Sequence, residues 1–221
     1  MTKKEKQQAK MRKIIRDRER RFHKMSRAQQ RVVVAKDVLA LIQSKKYAPA
    51  HKGYLVGKVV DIGVDLAQSQ RAGTSEEVRD LYIEAGAPRC TGCALGSVLL
   101  ACVLRTDELT TSDLFSGGGV NTGNMVEYLE KYFSFKQLAL IEKAFEGSGV
   151  SGIDDMDEYQ SEGLIAAAFG AQFKSPTARV IAIMKNIIAN DGMFVPPPLT
   201  DDQEYKAMDG RYAHFNPSVR R

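Results

Sequence analysis

The sequence predicts a mostly α-helical protein: a compact multi-helix domain behind an extended basic N-terminal helix, with at most a small β element near residues 51–63. Three observations carry that expectation. Helix caps recur ahead of apolar residues spaced three and four apart, strand-like texture is confined to one stretch, and the opening segment is rich in Lys, Arg, Gln and Glu without Gly or Pro.

Residues 3–25 hold only a thin apolar stripe, Met11, Ile14, Ile15, Phe22 and Met25, and read as a helix. Ser26 with Gln29 is a capping box, and Val34, Val38, Leu41 and Ile42 continue it into a second helix ending near Lys45 and Lys46. From His51 to Gly63 the texture changes to Tyr54-Leu55-Val56 and Val59-Val60 between glycines, which suggests short strands or an irregular loop. Thr74 and Glu77 cap a helix through Ala85 that Gly86 and Pro88 stop. The apolar run that follows predicts a buried helix from about Arg89 to Arg105. Gly117-Gly118-Gly119 breaks the chain, and residues 124–132 and 134–145 then read as a helix pair, the second capped by Ser134 and closed by Gly147. Residues 147–173 hold Asp154, Asp155, Asp157, Glu158 and Glu162 ahead of the apolar stretch from Leu164 to Phe169, and read as an acidic insert. Ser175 and Pro176 start a last helix striped by Val180, Ile183, Met184, Ile187 and Ile188 and stopped at Asn190-Asp191-Gly192. Pro196-Pro197-Pro198 ends the compact part. The expected organisation is a basic arm over 1–26, a helical domain over 27–198 and a polar tail over 199–221.

Charge is sharply segregated. The first 31 residues hold 13 Lys or Arg against Glu5, Asp17 and Glu19, a net of +10, whereas the whole 221-residue chain is +5, so the remainder carries −5. Such an arm is built to meet an anion. Arg outnumbers Lys from Arg12 to Arg31, and Arg grips phosphate bidentately where Lys acts as a point charge. The candidate contacts are Arg12, Lys13, Arg16, Arg18, Arg20, Arg21, Lys24 and Arg27, with Phe22, Ile14 and Ile15 interleaved among them. RNA or DNA, or a ribonucleoprotein such as the ribosome, is the expected partner, and an acidic protein is the competing one. A membrane-surface helix fits poorly, because the stripe is narrow and lacks Trp and Leu.

No apolar stretch approaches the roughly 20 residues of a membrane span. Basic residues occupy the place of a signal peptide's apolar region, and three cysteines suit a reducing compartment, so a cytoplasmic protein is expected.

The remaining motifs favour structural readings. Cys90-Thr-Gly-Cys93 could share a disulfide or clamp a metal, but redox use wants a strand before the helix, and a zinc site wants ligands that Cys102, His23, His51 and His214 do not visibly supply. Small residues packing a buried helix are the simpler account. Gly117-Gly-Gly-Val-Asn-Thr-Gly123 lacks the Gly-Lys-Ser/Thr ending of a phosphate loop and reads as a connector. The carboxylates at 154–158 lack the Gly and Glu register of an EF-hand. No cofactor or metal is expected, and three isolated histidines without a nucleophile motif lean the reading away from an enzyme.

Four blocks carry a family resemblance: Arg31-Val-Val-Val-Ala-Lys-Asp-Val-Leu-Ala, Cys93-Ala-Leu-Gly-Ser-Val-Leu-Leu-Ala, Phe133-Ser-Phe-Lys-Gln-Leu-Ala-Leu-Ile-Glu-Lys-Ala-Phe-Glu, and Arg179-Val-Ile-Ala-Ile-Met-Lys-Asn-Ile-Ile-Ala-Asn-Asp-Gly. They resemble uncharacterised accessory proteins encoded by tailed phages and prophages. The resemblance implies a cytoplasmic accessory protein and carries no site residues, and the basic arm lies outside the blocks. Two functions compete: a non-enzymatic nucleic-acid or ribonucleoprotein binder working through the arm, and a protein–protein interaction factor docking on a host complex. A thiol or zinc function at Cys90 and Cys93 ranks behind both.

Overall fold

The computed structural model describes residues 2–51, 56–57, 90–106, 115–116, 119–120, 122–146 and 160–201. Helix α1 (Lys3–His23) turns at Ser26 into α2 (Arg27–Gln43), and β1 (Tyr47–Pro49), β2 (Val56–Gly57) and β3 (Cys90–Gly92) form a small sheet that leads into α3 (Ala94–Val103). A hairpin, β4 (Phe115–Ser116) and β5 (Gly119–Val120), precedes α4 (Thr122–Glu130), α5 (Phe135–Glu146), α6 (Gln160–Ala171) and α7 (Pro176–Ala189). The described part is mostly helical, with a minor β component.

Local chemistry sets several helix ends. The Ser26 Oγ accepts from the Gln29 amide at 3.2 Å, and the Gln29 side chain accepts from the Ser26 amide at 3.0 Å, so two otherwise orphaned donors are satisfied. α2 ends slightly earlier than the sequence suggests, at Gln43, with Lys45 in the left-handed region at φ 58°. Ser175 caps α7 through the Ala178 amide, with Pro176 in the first turn. At the other end Gly192, at φ 89°, donates its amide to the Ile187 carbonyl at 2.8 Å. A Cβ on Gly192 would stand 2.5 Å from the Ala28 carbonyl oxygen, so this stop doubles as the contact between α7's end and α2.

The core lies between α2, α3, α5 and α7, where Val34, Val38, Leu95, Leu99, Leu138, Ile141, Ile183 and Ile187 are completely covered. Arg179 is buried with its guanidinium satisfied by carbonyls, Nη1 on Phe145 at 2.8 Å and Nε on Phe173 at 3.1 Å; burial lowers its pKa, and Glu146 opposes the shift. Gln137 ties the start of α5 to the segment after α7. Its backbone amide reaches Ser134 Oγ, but its side-chain amide clamps Phe194, donating to the carbonyl at 3.1 Å and accepting from the amide at 2.6 Å.

Four sequence-based expectations need correction. The run expected as one helix from Arg89 to Arg105 begins as strand: Cys90, Thr91 and Gly92 pair in parallel with Tyr47, Ala48 and Pro49, and the helix starts only at Ala94. Gly92 is a poor helix residue, and pairing with β1 satisfies the backbone there. The stretch around Leu164 to Phe169 is not an insert but α6, whose Gly163, Ala166, Ala167, Ala168 and Gly170 are buried. Its small residues permit close approach to α5: a Cβ on Gly170 would lie 1.6 Å from the Ala144 carbonyl oxygen. The glycine connector carries the two-strand hairpin β4–β5, with Phe115 opposite Val120. Phe22, assigned to the arm with its ring interleaved among the basic residues, is wholly buried in the main core of the body. The expected helix over 74–85, the carboxylates at 154–158, residues 202–221 of the expected tail and His214 lie outside the described residues.

Candidate nucleic-acid interface

α1 is attached to the body at its C-terminal end. The Phe22 ring sits 5.7 Å from Tyr132 and under the Arg105 guanidinium at 5.4 Å, and that guanidinium is held by Asp37 of α2 through Nε at 2.6 Å and Nη2 at 2.7 Å. The buried Gln30 side chain donates to the Phe22 carbonyl at 3.0 Å. One turn back, Arg18 Nη2 donates to the Leu104 carbonyl at 2.9 Å. The arm is therefore continuous with the body at its base, where the sequence alone suggested a clean break at Ser26.

Further along α1, solvent takes over. Lys6, Lys10, Lys13, Arg16, Arg20 and Arg21 are exposed, and Ile14, an apolar residue that packing would cover, is 48% exposed. At about 100° per residue, Lys6, Lys13 and Arg20 fall within about 20° of the side opposite Phe22. Lys10 and Arg21 lie to one side of that line and Arg16 to the other, with Asp17 the acidic residue among them.

The eight expected contact residues thus separate. Lys13, Arg16, Arg20 and Lys24 present their side chains to solvent, as does Arg21, whose Nε also donates to the Asp17 carbonyl at 3.2 Å. Arg18, though exposed, is engaged on the Leu104 carbonyl. Arg27 lies 5.6 Å over the Tyr132 ring and donates to Gln30 Oε1 at 3.0 Å. The Arg12 side chain lies outside the described residues. Arg31, part of the arm's charge count, is structural: Nε donates to the Gly192 carbonyl at 2.7 Å and Nη1 to the Tyr132 carbonyl at 3.0 Å, and burial, then the Arg27 charge, lowers its pKa.

The fold adds one cation that sequence reasoning missed. Lys131 is exposed with its Nζ 5.1 Å from the Tyr128 ring, and Tyr128 packs edge-on against the Tyr132 that supports Arg27. Arg27 and Lys131 therefore lie over neighbouring rings, and one of these, Tyr132, packs on Phe22 at the base of the arm. No basic run marks Lys131 in the sequence; the contact of α4's end with α1 brings it there.

The thiol motif sits elsewhere. Cys90-Thr-Gly-Cys93 spans a strand-to-helix junction, so the strand whose absence argued against redox use is present. The Cys93 thiol, however, is 4% exposed and pushed up to about 12 by burial, with Glu142 and Glu146 adding to the shift and the Gly96 and Leu95 amides opposing it. It remains a protonated thiol at neutral pH, whereas exchange and metal binding need the thiolate. Cys102 is fully buried and shifted upward for the same reason. His51 Nδ1 meets Glu146 Oε2 at 3.2 Å and its ring packs on Phe145, while His23 is exposed beside Phe22. Among the described residues no group of three or more His, Cys, Asp or Glu is arranged to hold a metal, and no helix is long and apolar enough to cross a membrane.

No family model matches this chain, and neither a curated protein nor a solved structure matches it.

Proposed function

We propose that this protein binds nucleic acid through the outer face of α1 and the Arg27–Lys131 corner at its base, acting as a binding protein and not as a catalyst. One observation carries the reading. Six cations of α1 face solvent along about 22 Å of axis from Lys6 to Arg21, and the helix is fixed to a folded body at one end. A tail whose only task is solubility has no use for the Phe22 anchor, the Arg105–Asp37 pair behind it or the Arg18 bond to Leu104. Anchoring holds the charges in one orientation, so less conformational freedom is lost when a polyanion binds.

Salt titration tests it directly. Neutralised phosphates release condensed counterions, so log affinity should fall linearly with log salt. Replacing Lys13, Arg16 and Arg20 together by Gln should weaken binding at least tenfold at about 0.1 M salt and flatten the slope by about 3. Equal affinity and equal slope for parent and variant would remove the arm from the function.

A further inference from the structure

The arrangement of charge and the burial of Phe22 narrow the ligand class, on the premise that α1 is the nucleic-acid interface. Single-strand binders combine a basic track with exposed aromatic rings on which bases stack. Phe22, the one Phe, Tyr or Trp of the arm, is fully buried, and the aromatic residues at the arm's base, Tyr128, Tyr132 and Phe133, are buried as well. Among the described side chains of the arm, the exposed ones are cationic apart from Thr2, Ile14, His23 and Ser26. Such a surface meets phosphates rather than base faces.

The cations also do not form a single line. Lys6, Lys13 and Arg20 mark the crest, Lys10 and Arg21 sit about 60–80° to one side, and Arg16 sits about 60° to the other. One phosphate backbone would be met by one line of charge. Charge on both flanks of a straight rod suits a groove with a backbone on each wall. A helix with its side chains is about 10–12 Å across, and the major groove of B-form DNA is about 12 Å wide, whereas the A-form major groove of RNA is deep and narrow. With α1 held through Phe22 and Arg18, the described side chains of the crest and of both flanks, Lys6, Lys13, Arg20, Lys10, Arg21 and Arg16, are exposed.

We infer that α1 lies in the major groove of double-stranded DNA, with Lys10 and Arg21 toward one backbone and Arg16 toward the other. The full chain is titrated against three probes of equal length: a mixed-sequence DNA duplex of about two turns, one of its strands alone, and the RNA duplex of the same sequence. The DNA duplex should bind at least tenfold more tightly than either alternative, with a log–log salt slope of about −3 for the three flank contacts to phosphate. Substituting Gln for Lys10 and Arg21, or separately for Arg16, should reduce that slope by about 1 per charge removed, on both flanks. Binding of the single strand or the RNA duplex as tightly as the DNA duplex overturns the groove and leaves the nucleic-acid function standing. A slope that responds to one flank only also overturns it. Failure to bind all three probes removes both proposals.

Discussion

The two ends of α1 share a helix and a basic composition, yet they meet opposite environments. Toward the C-terminus a single aromatic, Phe22, falls among Tyr132, Arg105 and Gln30 and becomes core. Toward the N-terminus Ile14 is left in solvent among lysines and arginines. A helix thus belongs to the body only as far as it carries groups the body can receive. The +10 charge that dominates the sequence says nothing of where that border falls.

The sharpest way to break this contrast is Phe22→Ala. Loss of a wholly buried ring should cost about 3–5 kcal/mol of unfolding free energy in a denaturant titration. An effect under about 1 kcal/mol, the range of a partly exposed contact, would mean that the arm ends at Ser26. Arg105→Gln probes the anchor from the body's side. It removes a two-pronged bond to Asp37 and the cation over Phe22, so a loss of about 1.5–3 kcal/mol is expected in the same assay.

Alkaline unfolding separates the regions through the body's buried thiols. Cys93 has a folded pKa raised to about 12 from 9.0, so its stabilisation is complete below the unfolded value and is lost as pH rises toward the folded one. Stability should decline above about pH 9, by about 1 kcal/mol for this thiol near pH 10, and Cys93→Ala should flatten the decline. Native Cys93 and Cys102 should also react with a thiol reagent at neutral pH only as fast as the protein opens. Fast labelling of Cys93 in the native state would contradict its burial.

The smallest stability effect belongs to the outer arm. Gln at Lys13, Arg16 and Arg20 removes exposed charges and should shift unfolding by no more than about 0.5 kcal/mol, so the variant that tests the proposed nucleic-acid binding should leave the fold intact. A larger shift would show that the arm's outer face supports the body.

Much of the helical framework is legible in the sequence, because its signals are local. Ser26 with Gln29, Ser175 with Pro176 and the Val180-to-Ile187 stripe each name a helix from residues within a turn or two of one another. The candidate interface is only partly legible. Lys13, Arg16, Arg20, Arg21 and Lys24 stand where the charge run puts them, but Arg18 and Arg31 bond to carbonyls of remote segments, and Lys131 joins from a part of the chain with no basic run. α6 escaped because its Ala- and Gly-rich face has little apolar contrast to show a period, although that smallness is what lets it reach the Ala144 backbone.

By itself the sequence determined the helical class, the principal caps and the concentration of positive charge in the first 31 residues, since propensity, capping and net charge are properties of short stretches. The tertiary structure alone decided that Cys90 to Gly92 is strand, because its partner Tyr47 to Pro49 is remote in sequence and only folding brings the two backbones together. It likewise decided that Phe22 is core and not a stacking surface. Burial depends on whether Tyr132, Arg105 and Gln30 converge at one place, and that convergence is a property of the packed chain.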